Sequence, residues 1–246
     1  MASPRLTFAG CGDAFASGGR FHTCLYLDGG EQPLLIDCGA SGLVALKRAG
    51  IDPGGIGHVA LTHLHGDHFG GLPFVILDGQ FSARTRPVVI AGPAGTQERL
   101  ERTFEALYPG LSLAERSFGV EFVQLENGAR CRLGAALLTP FEVPHPSGAP
   151  AYALRIEYAG KVITFSGDTG WTENLVPAAA GADLFVCECT FLETHVSNHL
   201  DYHTLLEQRD RFDCKRLVIT HMSEEMLTAV DELELEAASD GAVIEI

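Results

Sequence analysis

Thr62-His63-Leu64-His65-Gly66-Asp67-His68-Phe69-Gly70-Gly71 gathers three histidines and an aspartate into one short segment. The apolar run that leads into it, His58-Val-Ala-Leu-Thr62, reads as a β-strand, and at an extended chain end two residues spaced by one point to the same side. His63 and His65 can therefore reach one metal ion. Gly66 permits a sharp turn, so Asp67 and His68 can be aimed at a neighbouring position and supply a second ion. Imidazole and carboxylate suit zinc, manganese or iron, and a cluster without cysteine does not describe a closed structural zinc site. The chemistry on offer is that of an open, hydrolytic metal centre.

Such a segment works only if regular elements hold it and deliver further ligands. Short β-type runs, Leu6-Thr-Phe-Ala9, Cys24-Leu-Tyr-Leu27 and Leu34-Leu-Ile36, are separated by Gly-rich turns. Further strands are predicted at 58–62, 87–91, 118–125, 130–138, 151–158, 161–166, 183–187, 216–220 and 242–246, with a tight hairpin at Ala159-Gly160. Helices are predicted over 41–49, stopped by Gly50, and over 95–107, 201–211 and 223–236, the last with an acidic solvated face from Glu224 to Glu236. Meandering strands followed by β-α units in both halves predict two sheets sandwiched between helices, an α/β (α+β) architecture. No linker, repeat or low-complexity tract divides residues 1–246, so a single domain is expected.

Charge and cysteine usage set outer bounds. Lys+Arg 17 against Asp+Glu 32 gives a net charge of −15, which works against a phosphate-tracking surface and disfavours a long nucleic acid as partner. A small anionic substrate stays compatible, because bound cations reverse the local field. The seven cysteines contain no CxxC pair and suggest no disulfide framework, so a reducing, cytoplasmic setting is expected. No apolar stretch has the length of a signal peptide or a membrane span. Neither a GxSxG elbow nor a Walker A loop is present, and Phe15 stands where a dinucleotide fingerprint needs its third glycine.

His63-x-His65-x-Asp67-His68 resembles the HxHxDH signature of the metallo-β-lactamase superfamily, and the rest of that pattern follows in order. Leu35-Ile36-Asp37-Cys38-Gly39 is similar to the strand end ahead of the metal loop. Val143-Pro144-His145, Phe165-Ser166-Gly167-Asp168-Thr169 and Ile219-Thr220-His221 are similar to the later ligand positions. The likeness runs from Phe8 to about Met226. It implies the four-layer αββα sandwich, with His63, His65 and His145 on a first metal, Asp67, His68 and His221 on a second, and Asp168 between them. Two divalent ions are implied, zinc first, with manganese or iron as alternatives.

Gly10-Cys-Gly-Asp-Ala-Phe-Ala-Ser-Gly-Gly-Arg20 and Ala91-Gly-Pro-Ala-Gly95 resemble the opening and the "GPxG" turn of the ribonuclease Z and cyclic-phosphodiesterase-like branch. Glu188-Cys-Thr-Phe191 followed by His199 resembles its placement of a catalytic histidine. His199 is the preferred general acid, with His203, one helical turn on, competing; Asp67 would also hold the nucleophile. The intervals between motifs leave no room for the arm with which ribonuclease Z enzymes grip tRNA. The resemblance thus implies a hydrolase acting on a small phosphodiester and allows a homodimer; a carboxylic ester, lactone or β-lactam is the competing substrate class. Trp171 is expected to line the pocket or pack in the core, and His22, His58 and His195 to lie at the surface or behind the ligands.

Overall fold

In the computed structural model, which describes residues 3–29, 32–111 and 115–246, the apolar runs pair into two seven-stranded sheets. The first half of the chain supplies β1 (Arg5–Gly10), β2 (Cys24–Asp28), β3 (Leu34–Ile36), α1 (Gly42–Arg48), β4 (His58–Ala60), α2 (Gly66–Phe69), α3 (Leu72–Phe81), β5 (Val88–Gly92), α4 (Thr96–Leu107) and β6 (Val120–Gln124). The second half supplies β7 (Cys131–Leu133), β8 (Ala136–Val143), β9 (Ala151–Tyr158), β10 (Lys161–Phe165), α5 (Leu175–Ala179), β11 (Leu184–Glu188), α6 (Tyr202–Gln208), β12 (Leu217–Thr220), α7 (Glu224–Thr228), β13 (Glu236–Ala237) and β14 (Val243–Glu245). One sheet runs β14-β1-β2-β3-β4-β5-β6 and the other β13-β12-β11-β10-β9-β8-β7.

Strand side chains alternate between faces, and here both faces are apolar because each sheet is covered twice. Leu34 and Ile36 join Phe8, Leu154, Ile163 and Phe165 in the core between the sheets, whereas Leu35 points outward against α1, α3 and α4 with Leu46, Ile76, Leu100 and Phe104. On the far side Ala153, Phe185 and Ile219 meet Leu175 of α5 and Leu205 of α6. The layers are therefore helix, sheet, sheet, helix, and each fully buried Leu or Phe contributes about 1.5–3 kcal/mol.

Strands β3, β4 and β5 run parallel, as do β10, β11 and β12. Their C-terminal ends meet at one edge of the sandwich, where open α/β sheets place ligand sites. Two backbone hydrogen bonds stitch the sheets there: Tyr152 N–H to Thr62 O at 3.0 Å and His221 N–H to Cys11 O at 3.1 Å.

Three expectations need correction. The helix predicted over 223–236 stops at Thr228, and the chain instead continues through a 3-10 turn to β13. Leu233, Leu235 and Ala237 alternate with acidic residues, a period-two pattern that packs one face on the outer core. Helix α3 had no sequence reading: its Leu72, Val75 and Ile76 are buried and Leu77 is partly buried, so it lacks the polar stripe that marks an amphipathic helix. The strand predicted over 130–138 is a hairpin instead, β7 and β8 turning between Leu133 and Ala136. Strand β8 runs on through Pro140, tolerated because β7 pairs only as far as Leu138 and no donor is required of Pro140 there, where its carbonyl accepts from Gly128 N–H.

Candidate metal centre

Every implied ligand leaves the end of a strand or the turn just after it. His63 and His65 follow β4, His145 follows β8, Asp168 follows β10 and His221 follows β12. Asp67 and His68 sit on α2, which begins at Gly66. The close approach of these turns requires glycine at two points. A Cβ on Gly39 would lie 2.1 Å from Asp67 O, and one on Gly167, where φ is +57°, would lie 2.9 Å from Thr62 Cβ. His221 itself holds φ 60°, an uncommon backbone for a non-glycine residue, fixed by its bond to Cys11 O.

The side chains converge in two groups that share Asp168. His63, His65, His145 and Asp168 form one, Asp67, His68, Asp168 and His221 the other, and within each group the ligand atoms lie within 4.8 Å of one another. Asp168 Oδ2 is 3.8 Å from both His63 Nε2 and His145 Nε2 and 3.4 Å from His221 Nε2, while Oδ1 is 3.1 Å from His68 Nε2. Asp67 Oδ2 is 3.3 Å from His68 Nε2 and 3.2 Å from His221 Nε2.

Four of the imidazoles are held from behind through Nδ1, which turns Nε2 toward the shared centre. His68 Nδ1 meets Asp37 Oδ2 at 2.7 Å, His145 Nδ1 meets Asn198 O at 3.0 Å, His221 Nδ1 meets Thr190 Oγ1 at 3.1 Å and His63 Nδ1 meets Thr62 Oγ1 at 3.1 Å. Such outer partners set the tautomer and ring orientation of a metal ligand. Asp37, in the left-handed region just after β3, also accepts from Thr62 N–H at 2.8 Å and Thr62 Oγ1–H at 2.7 Å. One buried carboxylate thus fixes both the start of the histidine segment and the ring of His68.

The donor set fits cations. His63 Nε2, His68 Nε2 and Asp168 Oδ1 are buried and make no hydrogen bond, although neighbours lie close. Buried polar atoms left unpaired call for an explanation, and a bound ion is one. Electrostatics agree. Burial would raise the carboxyls of Asp67 and Asp168, but His68 and His221 around them hold both well below the ordinary range. Burial would lower His221, yet Asp168 and Asp67 push it up to about 9, and His68 is likewise held well above its ordinary value by Asp168, Asp67 and Asp37. His63 goes the other way, pulled well below by burial and by His68. The carboxylates that raise His68 and His221 would favour divalent cations at the same positions.

The two candidate acids part company. His199 stands beside the ligands, its ring stacked on His221 with centroids 5.8 Å apart and 4.9 Å from that of His145. Its Nδ1 donates to Glu188 Oε1 at 3.0 Å. Glu188 is fully buried and also accepts from the Thr169 and Leu200 amides and the Thr190 hydroxyl. Burial would lower His199, but the hydrogen bond and charge of Glu188 prevail and raise it. His203 is not brought to the cluster: its side chain is 62% exposed and lies 3.8 Å from Glu193. As the second residue of α6 it faces outward while Tyr202 and Leu205 face the core.

Trp171 packs against Phe212 with Arg211 over its ring rather than among the ligands. His22 lies behind the site, its Cβ against Gly39, and His195 pairs with Asp201 at the surface. His58 borders Gly134, away from the ligands. The part of Glu188 in orienting His199 and the anchoring of His145 by Asn198 O were not read from the sequence. The Glu-Cys-Thr-Phe run carried the signal for the first; a backbone carbonyl carries none.

A four-layer sandwich with two histidine and carboxylate groups at the strand ends defines a metal-dependent hydrolase of the metallo-β-lactamase fold. Among solved structures, the metallo-β-lactamase fold protein YhfI from Bacillus subtilis is similar in fold, with a TM-score of 0.78 at 21% identity over 99% of this chain and 100% of that one. The short form of human tRNase Z superposes with a TM-score of 0.80 at 25% identity, covering 98% of this chain and 99% of that one. Among curated sequences, the ribonuclease Z of Agathobacter rectalis is 25% identical, with 86% of this chain and 85% of the relative aligned. Residues 4–237 match the family described as Anti-Pycsar protein Apyc1, and the chain belongs to that family.

Proposed function

We propose that the protein is a phosphodiesterase that hydrolyses a small anionic phosphodiester at a centre of two divalent ions. The observation that carries the reading is the Glu188–His199 pair, a proton donor set against both ligand groups and oriented from a fully buried carboxylate. Such a donor serves a reaction whose leaving group is an alkoxide.

The ligands assigned to the ions are His63, His65 and His145 for one, Asp67, His68 and His221 for the other, and Asp168 for both. Two divalent cations, zinc before manganese or iron, would supply activated water near neutral pH and neutralise charge developing on the phosphoryl oxygens. Asp67 reaches His68 and His221 through Oδ2, which leaves Oδ1 to accept a proton from the attacking water. His199 keeps its proton at Nε2, pointing away from Glu188, and delivers it to the leaving oxygen. Asn198 O and Thr190 Oγ1 hold the rings of His145 and His221 in register.

Several features favour a small substrate. The net charge of −15 opposes tracking of a polyanion, and the connections between β7 and β8 and between β8 and β9 are too short to carry a tRNA-gripping arm. Seven free thiols suit a reducing, cytoplasmic setting. Among the described residues no helix is long and apolar enough to cross a membrane. Side-by-side assays on bis(p-nitrophenyl) phosphate, p-nitrophenyl acetate, a lactone and a cephalosporin test the reading. Turnover of the phosphodiester well above the carbonyl substrates is the expected result; turnover of the carbonyl substrates alone would overturn it.

A further inference from the structure

Arg99 sits on α4, whose Leu100 and Phe104 are buried against the first sheet and give it a fixed base. Its backbone carbonyl accepts from Thr103 Oγ1 at 2.8 Å, and its side chain reaches toward the ligand edge. There Nη1 donates to two carbonyls, Leu64 O at 3.0 Å and Ser147 O at 2.8 Å. No other hydrogen bond to either carbonyl is found among the described residues. The guanidinium also lies close to Gly148, where a Cβ would come within 2.8 Å of Nη2.

Those two carbonyls belong to different sheets and to one metal position. Leu64 lies between His63 and His65, after β4 of the first sheet. Ser147 lies two residues past His145, after β8 of the second, and its own amide donates back to His145 O at 3.0 Å. The first ligand group is therefore split across the sandwich, and its halves touch where His65 Nδ1 and His145 Nε2 stand 2.9 Å apart. The second group has other supports: Asp37 for His68, and Cys11 O and Thr190 for His221. None of these contacts Arg99.

We infer that Arg99 is a positioning residue for the first ion: by bonding Leu64 O and Ser147 O from one nitrogen, it locks His63 and His65 onto His145, so that affinity at this position, and not at the second, depends on its guanidinium. The inference rests on the two-ion reading given above. Arginine brings to this reach a charged, planar fork whose terminal nitrogen carries two N–H bonds; a neutral amide has two such bonds but neither the charge nor the length. Loss of a partner that orients ligands typically weakens metal binding 10–100-fold.

The test uses the full chain, stripped of metal and titrated with Co²⁺ against a chromophoric chelator, with the visible absorption of the bound ion as a second readout. His221→Ala disables the second position and His145→Ala the first, giving two single-site parents. Arg99→Met, which keeps the stem and removes the donors, is expected to weaken Co²⁺ binding 10–100-fold in the His221→Ala parent and less than twofold in the His145→Ala parent. If Arg99→Met does not fold, Arg99→Lys takes its place and must show the same asymmetry at smaller size. Equal weakening in both parents, or in neither, overturns the role of Arg99 while leaving the two-ion reading intact. Failure of both parents to bind Co²⁺ refutes the two-ion reading and takes this inference with it.

Discussion

Replacement of Asp37 by Asn removes one charge while keeping shape, and its consequences can be worked from three hydrogen bonds. Asp37 Oδ1 accepts from Thr62 N–H, and Oδ2 accepts from Thr62 Oγ1 and from His68 Nδ1. Asparagine tolerates the left-handed backbone at this position, so the change does not strain the turn. It has one accepting oxygen, however. If that oxygen keeps the Thr62 amide, the new NH₂ faces Thr62 Oγ1, which can accept, and His68 Nδ1, which must then give up its proton. The proton moves to Nε2, the atom that faces Asp67 and Asp168, and the ring no longer presents a lone pair there. Affinity at the second position should fall about 10–100-fold, or roughly 1.4–2.8 kcal/mol. Stability of the metal-free protein should fall too, by about 2–4 kcal/mol, since hydrogen bonds to a charged group are worth about 1.5–3 kcal/mol each and not all are lost. Chelator-competition titration of the His145→Ala parent reads the first quantity and urea unfolding the second. An Asp37→Asn protein that folds and binds its second ion with unchanged affinity would refute the tautomer argument.

Other outcomes follow from the same geometry. His199→Ala should lower kcat by about 10²–10⁴-fold on phosphodiesters with alkyl leaving groups and much less on p-nitrophenyl esters, with metal content unchanged; equal loss on both would remove the acid role. His203→Ala, at an exposed position, should leave kcat/KM within twofold in the same assay. Glu188→Gln removes the charge that raises His199, so the alkaline limb of the kcat profile, where the acid loses its proton, should move to lower pH; a limb that stays in place or moves up contradicts the pairing. Chelator treatment should lower the midpoint of thermal unfolding, because ligand at 100 times its Kd stabilises by about 2.7 kcal/mol. Differential scanning calorimetry with and without added metal reads that shift.

The proposed ligands were legible because His63, His65, His145, Asp168 and His221 stand just past the ends of apolar strands, with Asp67 and His68 in the turn that follows, and strand ends are where the sheet periodicity breaks. Leu34-Leu35-Ile36 reads as a strand because it is a short apolar run; the strand period of two then puts Leu34 and Ile36 on one face and Leu35 on the other, and the register of β3 with β2 and β4 delivers Asp37 to the edge of the sandwich. The same reasoning failed where period was absent or mixed. Helix α3 is apolar nearly all round, and the acidic run after Thr228 satisfies a helical charge pattern and a strand alternation equally well until the edge of β12 selects the strand. His199 and His203 differ by one helical turn in sequence; only the β-bridge between Val196 and His199 and the cap of α6 at Asp201 decide which ring faces the ligands.

Roles that depend on backbone atoms lie beyond any reading of residue types. His145 is held by the carbonyl of Asn198, and Arg99 acts on the carbonyls of Leu64 and Ser147, so the identity of the accepting side chains is immaterial. What selects Arg99 is the distance between two sheets at one edge, set by the apolar core that separates them. A substitution that thins this core, such as Phe165→Ala between the sheets, should therefore act on the metal centre as well as on stability. The cost of about 3–5 kcal/mol expected for such a cavity is paid in global stability, whereas a shift of the two loops is felt first where ligands come from both sheets. The first position takes His63 and His65 from one sheet and His145 from the other. In the second, His68 is tied to Asp37 on its own sheet, and His221 is bonded directly across the gap to Cys11. The two positions thus differ in how they span the sandwich: the first is bridged by backbone only at Thr62, before His63, and Arg99 adds the tie between Leu64 and Ser147 that the ligands themselves do not make.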